Sequence, residues 1–400
     1  MFRAPLTGYA GKVNRPPANF TLLQVTPELE TGGAEQTTLD VSRAVIAAGG
    51  RSLVASRGGR MAARLQADGG VLVQLPMQSK NPAVILANAQ RLAAIIRAEG
   101  VSLIHARSRA PAFSAYLAAR MTGVPFLATY HGVYEAKGPV KRWYNAIMTR
   151  GRLTIANSAY TRDRVIAEHG LAPERVIAID RGVDLDRFDP AKVSDARVDA
   201  LRQAWDVAPD DGRITLILAG RLTRWKGQRL LIDAAARLKA EGRTVPLILL
   251  VGDEQGRGGY RDELLEAIRA GGLEGDVRLV GHCDDMPAAY RLADIAVAPS
   301  LKPEPFGRTA VEPQAMGLPV LAADHGAARE TVEDGVTGWR VAPGDVTAWG
   351  EAIARAVMMS KQDRAAMGAA ARERARRLYS LDAMCAATLK VYAALLDGSA

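Results

Sequence analysis

Two glutamates, Glu304 and Glu312, lie in a segment that carries signals for a loop followed by a helix. Gly307 and Thr309, between them, predict the junction of that loop with the helix. If both glutamates lay on one helix, they would be about 12 Å apart along its axis. The paired carboxylates of glycosidases are closer, at roughly 5–9.5 Å. The pair therefore suits the holding of two ends of an elongated ligand, because carboxylates accept hydrogen bonds from hydroxyl groups. The alternative is a loop charge and a helix-surface charge.

A second group with useful chemistry is the basic loop from Gly220 to Gly227, which contains Arg221, Arg224 and Lys226. An arginine fork and a lysine point charge on a glycine-bounded loop can hold a diphosphate. We select Arg221 and Lys226 over Arg224 for this role. The alternative is a solvated basic loop. The helix N-terminus near Thr309 is a further anion site, since helix N-termini favour phosphate.

His131 lies beside Gly132, which permits close approach of a ligand. A single histidine is more often structural, so both interpretations stay open for His131. The remaining histidines are scattered without the spacing of a metal site, and no metal or cofactor is expected. The sequence has no nucleophile elbow, Walker loop or kinase signature, which gives serine or cysteine nucleophilic chemistry no support.

Parallel strands joined by crossover helices would bring these residues to one edge of a sheet. Apolar runs alternate with amphipathic segments along the chain, which predicts such an arrangement. Strands are expected at Thr21–Val25, near Leu53, Leu72, Leu103, Leu127, Leu153 and Val176, and at Ile214–Ala219, Leu247–Val251, Val277–Val280, Ile295–Ala298 and Val320–Ala323. Helices are expected at Ala34–Ala47, Arg60–Ala67, Ala83–Glu99, Ala112–Met121, Tyr160–His169, Gln228–Ala240 and Arg261–Ala270. The class is α/β, with two doubly wound Rossmann-like domains whose strand-end loops face a cleft.

The domain boundaries follow from composition. We predict an N-terminal domain over residues 1–185, completed by about 380–400, and a C-terminal domain over residues 186–379. Residues 180–213, rich in aspartate, are expected to connect the two, with a short helix at Val198–Trp205. The chain from Val346 to Leu396 is expected to be mostly helical, with Ser380 as the N-cap of the last helix.

The overall composition restricts the class of protein. The chain has 400 residues, 48% hydrophobic and 24% charged, which is typical of a globular protein. Its 2 cysteines exclude a disulfide framework and suit a reducing cytosol. Met1–Phe20 has no apolar core, so we expect a loose lead-in rather than a signal peptide.

The net charge of +9 would suit nucleic acid, an anionic membrane surface or phosphorylated substrates. Aromatic residues make up 5% and no RNA-binding motif is present, so no nucleic-acid partner is expected. The segment Lys137–Arg152 mixes basic residues with Trp143 and Tyr144, and on a helix it could contact an anionic inner membrane. The equally favoured alternative is a helix packed on its own sheet. Further basic residues of the first domain could bind a phosphorylated acceptor: Arg57, Arg60, Arg107 and Arg109.

Five motifs, each at a predicted strand end, resemble those of the retaining GT-B glycosyltransferases of family 4, the group that includes lipopolysaccharide-core and mannosyltransferase-like enzymes. They are Gly32–Glu35, Asn157–Ser158, Arg181–Asp184, Gly220–Gly227 and the Glu-x7-Glu motif from Glu304 to Glu312. The resemblance covers nearly the whole chain and implies a final helix that crosses back to the first domain. The fingerprint Gly-x-Gly-x-x-Gly is missing after the first strand, which disfavours a dinucleotide-dependent oxidoreductase.

The resemblance implies a role for each candidate residue. Glu304 would contact the hydroxyls of the donor sugar, and Glu312 the ribose of the nucleotide. Arg221 and Lys226 would hold the diphosphate, and His131 would approach the transferred sugar. The implied catalytic set is Glu304, His131, Arg221 and Lys226, and the implied donor-binding set is Gly33, Gly220, Arg221, Lys226, His282, Glu304, Phe306, Gly307, Arg308, Thr309 and Glu312. In these sets Gly33 would close over the phosphates, His282 would lie against the base, and the residues from Phe306 to Arg308 would offer backbone amides.

The implied activity is transfer of a sugar, with retention, from a UDP- or GDP-sugar to a lipid-linked or lipopolysaccharide-type cell-envelope glycan. The expected location is cytoplasmic, with peripheral contact at the inner membrane face. Two alternatives share the fold: a nucleotide-sugar epimerase, and a non-catalytic nucleotide-sugar-binding protein. The intact pair of glutamates and the Arg221 and Lys226 cations disfavour both.

Overall fold

The computed structural model describes residues 16–17, 19–30, 32–134, 138–208, 212–254 and 258–398. Most of the predicted N-terminal lead-in lies outside these residues, as does Lys137 of the basic segment. The described chain divides into two compact units. The first runs up to Gly182 and resumes at Leu381, and the second is Val183–Ser380.

Each unit is built on one parallel sheet. The strands of the first sheet are β1 (Thr21–Val25), β2 (Arg51–Ser56), β3 (Val71–Gln74), β4 (Leu103–Ala106), β5 (Phe126–Tyr130), β6 (Thr154–Ala156) and β7 (Val176–Ala178). Those of the second are β8 (Thr215–Ala219), β9 (Leu247–Val251), β10 (Val277–Gly281), β11 (Ile295–Ala298), β12 (Val320–Ala323) and β13 (Gly338–Val341). The spatial orders are β3-β2-β1-β4-β5-β6-β7 and β10-β9-β8-β11-β12-β13.

Helices connect successive strands. Those of the first unit are α1 (Gly33–Ala47), α2 (Ala62–Ala67), α3 (Pro82–Ala98), α4 (Arg109–Thr122), α5 (Pro139–Asn145) and α6 (Ala159–His169). The second unit contains α7 (Asp195–Ala204), α8 (Gln228–Ala240), α9 (Tyr260–Ala270), α10 (Met286–Leu292), α11 (Arg308–Ala315), α12 (Ala328–Thr331), α13 (Val346–Val357) and α14 (Lys361–Leu378). The last helix, α15 (Leu381–Leu396), belongs to the first unit. The predicted α/β class with two doubly wound, Rossmann-like sheets is confirmed.

In the first unit, α15 packs against α1. Its Tyr392 is fully buried, and the hydroxyl lies 2.6 Å from Nδ1 of His105 on β4. The other ring nitrogen of His105 lies 2.7 Å from the hydroxyl of Thr129 on β5. The final helix returns to the N-terminal part of the chain, as expected. A buried series of hydrogen bonds from α15 through β4 to β5 holds it there.

In the second unit, most of the segment predicted to connect the two domains is folded onto the core of that unit. Helix α7 packs against α10, and Val198 on α7 is buried. Trp205 and Val207, just after α7, are buried in the same core as Phe306. These apolar side chains are irregularly spaced in the sequence, so periodicity does not indicate their common burial.

The strand order places two connections side by side in the second unit. The first strand of this sheet, β8, lies between β9 and β11, so the chain leaves β8 in one direction and reaches β11 in the other. In open α/β sheets, ligands bind at the carboxyl ends of the strands where the order reverses in this way. The loops after β8 and β11 carry Lys226 and Glu304 respectively, so the topology alone makes these two residues neighbours.

None of the helices in the described part of the chain combines the length and the apolar character needed to cross a bilayer.

Candidate functional site

Lys226 and Glu304 form a close ion pair in the second unit. Nζ of Lys226 lies 2.6 Å from Oε1 of Glu304, and both side chains are only 14% exposed. The hydroxyl of Ser300 donates to the same carboxylate oxygen over 2.7 Å. The ammonium also lies 4.6 Å from the ring centroid of Trp225, within the range of a cation–π contact. The ion pair joins a cation suited to phosphate with a carboxylate suited to hydroxyl groups.

The backbone around Glu304 is held by the turn that follows β12. The carbonyl of Glu304 accepts a hydrogen bond of 3.0 Å from the amide of Ala327. A Cβ at Gly326 would lie 2.7 Å from that carbonyl oxygen, so a larger residue at this position would push the two backbones apart. Gly227 likewise allows two backbone segments to approach closely, here its own and that of Pro299 after β11. It has a φ of +81°, and a Cβ there would meet the carbonyl of Pro299 at 2.1 Å.

Helix α11 starts beside the ion pair. Gly307 precedes it with a φ of +84°, a left-handed conformation that favours glycine, which agrees with the predicted loop-to-helix junction. The ring of Phe306 is buried and packs edge-on against Tyr379, with centroids 5.6 Å apart. Phe306 therefore has only its backbone to offer a ligand. Glu304, Gly307 and Thr309 line one small cavity, so Glu304 and the start of α11 face the same space.

Glu312 lies in the second turn of α11 and is 8% exposed. This burial shows that Glu312 is not a simple helix-surface charge, while Glu304 precedes the helix rather than lying on it. Oε1 of Glu312 accepts hydrogen bonds from the Arg308 guanidinium, with Nη2 at 2.6 Å and Nε at 2.7 Å. Arg308 is thus oriented by Glu312, and the two carboxylates have separate cationic partners.

The other predicted donor-binding residues of the second unit are more exposed. Arg221 lies on the surface, and its carbonyl accepts a hydrogen bond of 2.8 Å from Gln228. Gly220 precedes it at the end of β8, where a Cβ would lie 3.7 Å from the Lys226 side chain. Arg224, which was not selected, is paired with Glu263. His282 follows β10, and its Nε2 lies 3.0 Å from Asp284.

In the first unit, three separate motifs meet at His131. The residue follows β5, and its Nδ1 lies 3.0 Å from Nη2 of Arg181, which follows β7. The carbonyl of His131 accepts a hydrogen bond of 3.2 Å from Asn157, which follows β6. The first residue of α1 is Gly33, and a Cβ there would lie 2.5 Å from Nη1 of Arg181. The structure therefore brings together the predicted Gly33 and His131 through an arginine that had no assigned role.

The protonation state of His131 follows from this environment. Burial lowers its pKa well below the ordinary value of 6.5, and the positive charges of Arg181 and Arg107 lower it further. Nε2 is buried and has no hydrogen-bond partner among the described residues. The ring is accordingly neutral near pH 7.

Four further residues contribute to these two groups without having been assigned a role. Ser300 and His325 belong to the Glu304 group, and Nε2 of His325 lies 2.8 Å from the carbonyl of Ser300. Asn157 and Arg181 belong to the His131 group. His325 follows β12 and Ser300 follows β11, so the rule that ligand sites collect at strand ends would have found both. Among the described residues, no cluster of three or more His, Cys, Asp or Glu side chains forms a metal site.

Comparison with known proteins places the chain in a family. The model of glycosyltransferase family 4 matches residues 31–187, and the model of glycosyl transferases group 1 matches residues 200–374. A D-inositol 3-phosphate glycosyltransferase of Salinispora tropica is 31% identical over 75% of this chain and 66% of its own length. This chain spans as little as 46% of such a relative, the one from Geodermatophilus obscurus. These relatives are named for inositol phosphate, and not as lipopolysaccharide-core mannosyltransferases.

Solved structures extend the likeness over the whole fold. A glycosyltransferase from Rickettsia africae superposes with a TM-score of 0.87 at 32% identity, covering 94% of this chain and 99% of its own. HepE of Anabaena, in complex with UDP-glucose, has a TM-score of 0.79 at 25% identity and covers 96% of this chain and 100% of its own. The chain has the GT-B fold of these neighbours, and it belongs to the glycosyltransferases of family 4, with a C-terminal half of the group 1 type.

Proposed function

We propose that this protein transfers a sugar from a nucleoside-diphosphate sugar to a hydroxyl group of an acceptor, with retention at the anomeric carbon. The observation that carries the proposal is the pair of Lys226 and Glu304, 2.6 Å apart beside the start of α11. A diphosphate next to a sugar presents anionic oxygens and hydroxyl groups within one small ligand. A cation, a carboxylate and a helix N-terminus at one place match that combination.

The donor is proposed to lie along the second unit. Lys226, Arg221 and the N-terminus of α11 would hold the diphosphate, Glu304 the sugar hydroxyls and Glu312 the ribose. His282, at the end of β10, would lie beside the base. The complex of HepE with UDP-glucose supports a UDP-sugar as the first donor to test, with GDP-sugars as the second. No metal is needed in this scheme, because Lys226, Arg221 and the helix N-terminus supply positive charge to the leaving diphosphate.

The proposed reaction proceeds on one face of the sugar. The bond between the anomeric carbon and the phosphate oxygen breaks, and the acceptor oxygen forms a bond to the same carbon from the same side. The proton of the acceptor hydroxyl passes to the departing phosphate oxygen, which balances the step without a protein base. The positive groups around the diphosphate lower the barrier because negative charge grows there as the bond breaks.

For the acceptor, we favour a phosphorylated polyol such as an inositol phosphate, since the relatives of this chain are D-inositol 3-phosphate glycosyltransferases. A lipid-linked or cell-envelope glycan is the second candidate, and one feature of the first unit favours it. Val140 and Trp143 on α5 are 79% and 62% exposed, and Lys141 and Arg142 are exposed between them. An apolar and basic helix face of this kind suits an anionic lipid surface, and we propose a cytoplasmic protein that contacts such a surface.

The test of function is an incubation of the purified protein with UDP- and GDP-sugars, with and without acceptor, followed by measurement of nucleoside-diphosphate release. We expect release that is strongly stimulated by acceptor, and an α-linked product from an α-linked donor. An isomerised donor formed without acceptor would establish the epimerase instead. Tight donor binding without any turnover would establish the binding protein.

The acceptor class is tested in the same assay by offering inositol 3-phosphate and a short lipid-linked glycan separately. Contact with lipid is measured by sedimentation with vesicles of phosphatidylcholine, with or without phosphatidylglycerol. If the α5 face binds lipid, Lys141→Glu should weaken sedimentation with the anionic vesicles. Lys361→Glu at the start of α14 makes the same charge change elsewhere and should leave it unaltered.

A further inference from the structure

We propose that the first unit has a separate anion-binding site, at the edge where its strands begin, and that this site binds the phosphate group of an organic phosphate. The site is an open cavity of about 380 Å³, lined by residues of α4, the start of β5, the turn before β6 and the end of α15. Three exposed arginines are among the lining residues: Arg120, Arg150 and Arg152.

The direction of the strands separates this cavity from the candidate site of the first unit. Pro125 and Phe126, at the start of β5, line the cavity, whereas His131 follows the end of the same strand. A strand of five residues spans roughly 16 Å. In open α/β sheets the reacting ligands bind at the carboxyl ends of the strands. A ligand in this cavity therefore binds apart from the proposed transfer reaction.

The three arginines have no acidic partner. No aspartate or glutamate is among the described residues that line the cavity. Within the described parts of the chain, the three guanidinium groups form no ion pair and donate no hydrogen bond. Exposed arginines of the same unit can be paired, as Arg51 is with Glu99 at 2.8 Å. Three like charges around one opening repel one another, so an anion with several oxygens is attracted to the place where they meet.

The turn that carries Arg150 and Arg152 is held by a fourth arginine. The guanidinium of Arg175 donates to the backbone carbonyl of Gly151 over 2.7 Å and to that of Arg152 over 3.3 Å. Gly151 also lies against the start of β5, where a Cβ would meet the carbonyl of Phe126 at 2.2 Å. The backbone of the turn is thus fixed from two sides. This lowers the cost of ordering the site when an anion binds, and Arg175 adds a further positive charge nearby.

The floor of the cavity is apolar and partly aromatic. Tyr116 packs edge-on against the buried ring of Phe126, with centroids 5.6 Å apart. Val124, Pro125 and Leu395 also line the floor. A cavity of this volume accommodates a small organic molecule. Arginine recognises phosphate through paired hydrogen bonds, and the floor suits the uncharged part of the same molecule. A free nucleotide and the headgroup region of an anionic phospholipid both have this combination.

The direct test measures binding of inorganic pyrophosphate by titration calorimetry. The parent protein is Lys226→Ala, in which the anion site proposed for the donor is impaired, and we expect binding that weakens as the salt concentration rises. Arg150→Gln combined with Arg152→Gln should raise the Kd on the order of 100-fold, about tenfold for each charge-assisted hydrogen bond that is lost. Arg376→Gln combined with Arg377→Gln removes two exposed charges from α14 and should leave the Kd unchanged.

Two further probes identify the source of the phosphate. ADP represents a free nucleotide, and vesicles of phosphatidylcholine with phosphatidic acid represent a lipid headgroup. Binding of ADP that is lost with Arg150 and Arg152 supports the site and makes its ligand a free molecule. Sedimentation with the vesicles that is lost with the same arginines, in a protein that does not bind ADP, supports the site and makes its ligand a lipid.

The outcome is independent of the proposed transferase activity. Nucleoside-diphosphate release should be the same in the wild type and in the variant that lacks Arg150 and Arg152, since neither residue belongs to the candidate site. The proposal is overturned if pyrophosphate, ADP and the vesicles all fail to bind the parent protein, or bind the variant equally tightly. An equal rise in the Kd of the Arg376 and Arg377 control would also overturn it, because the effect would then come from net charge alone.

Discussion

The ammonium of Lys226 and the carboxylate of Glu304 lie 2.6 Å apart, although 78 positions separate them in the chain. Strand order explains the meeting, because β8 and β11 are adjacent and both residues follow the carboxyl ends of these strands. Neither side chain has more than 14% of its surface exposed, so the pair is largely removed from water. Each charge therefore depends on the other until a ligand arrives.

Replacement of Lys226 by Ala should reduce kcat on the order of 10²–10³-fold, the usual effect of removing one group that stabilises developing negative charge. Glu304→Ala should reduce kcat at least as strongly. Circular dichroism should show an intact fold in both variants. Arg224→Ala is the matched control, since Arg224 lies two positions away and is paired with Glu263 on the surface. Near-normal turnover in Lys226→Ala, or an equal loss in Arg224→Ala, would contradict the assignment of the diphosphate site.

Replacement of Glu312 by Gln should weaken nucleotide binding more than it slows the reaction. The proposed contact is with the ribose, which does not react, so loss of a hydrogen bond to the charged group should raise the Kd for UDP about tenfold. Titration calorimetry with UDP measures this directly. Arg308→Gln is the control, because it removes the partner of Glu312 while keeping the carboxylate. If Arg308→Gln weakens UDP binding more than Glu312→Gln, then the ligand contact belongs to the arginine.

Replacement of Gly227 by Ala should damage both stability and activity. The new Cβ would meet the Pro299 carbonyl at 2.1 Å, and the left-handed backbone at φ +81° adds roughly 1–2 kcal/mol of strain. Gly227 follows Lys226 directly, so relief of the clash would also move the ammonium. The midpoint temperature of thermal unfolding and kcat should both decrease. Gly275→Ala, where a Cβ meets nothing within 4 Å, should change neither quantity.

The free energy of unfolding should decrease as the pH falls from about 7 to 5.5. Burial lowers the pKa of His105 and of His131 well below the ordinary value of 6.5. In this window the unfolded chain binds protons that the folded chain does not, so protonation favours unfolding. Each histidine can contribute a slope of up to about 1.4 kcal/mol per pH unit. Urea unfolding at constant ionic strength measures the slope, and equal stability at both pH values would show that the rings are not held neutral.

The fold was predictable to the extent that strands are buried on both faces. Leu247–Val251 and Ile295–Ala298 are continuous apolar runs, and the structure has strands with these same bounds. The strand β13 was not predicted, because it lies at the edge of the sheet and contains Arg340 within only four residues. An edge strand needs no continuous apolar run, so composition alone gives little indication of it.

The candidate site was predictable where a residue follows a strand, and less so where residues from different strands pair. The sequence points to Lys226 and Glu304 separately, but their contact depends on the order of strands in the sheet, which local patterns do not determine. Arg181 shows the same limit more clearly. Arg181 contacts His131, which lies 50 positions away in the chain. Its guanidinium also occupies the space beside Gly33, where a side chain would clash with it.

The turn that holds the Glu304 backbone has a consequence for affinity. Because Ala327 donates to the Glu304 carbonyl and Gly326 packs against it, the fold itself holds the backbone of this loop at Glu304. Ordering a flexible loop on binding costs roughly 1–2 kcal/mol per residue in backbone entropy. That cost is met during folding here, so the interaction energy of a ligand with this loop appears as affinity or as catalysis instead of being consumed in ordering the chain.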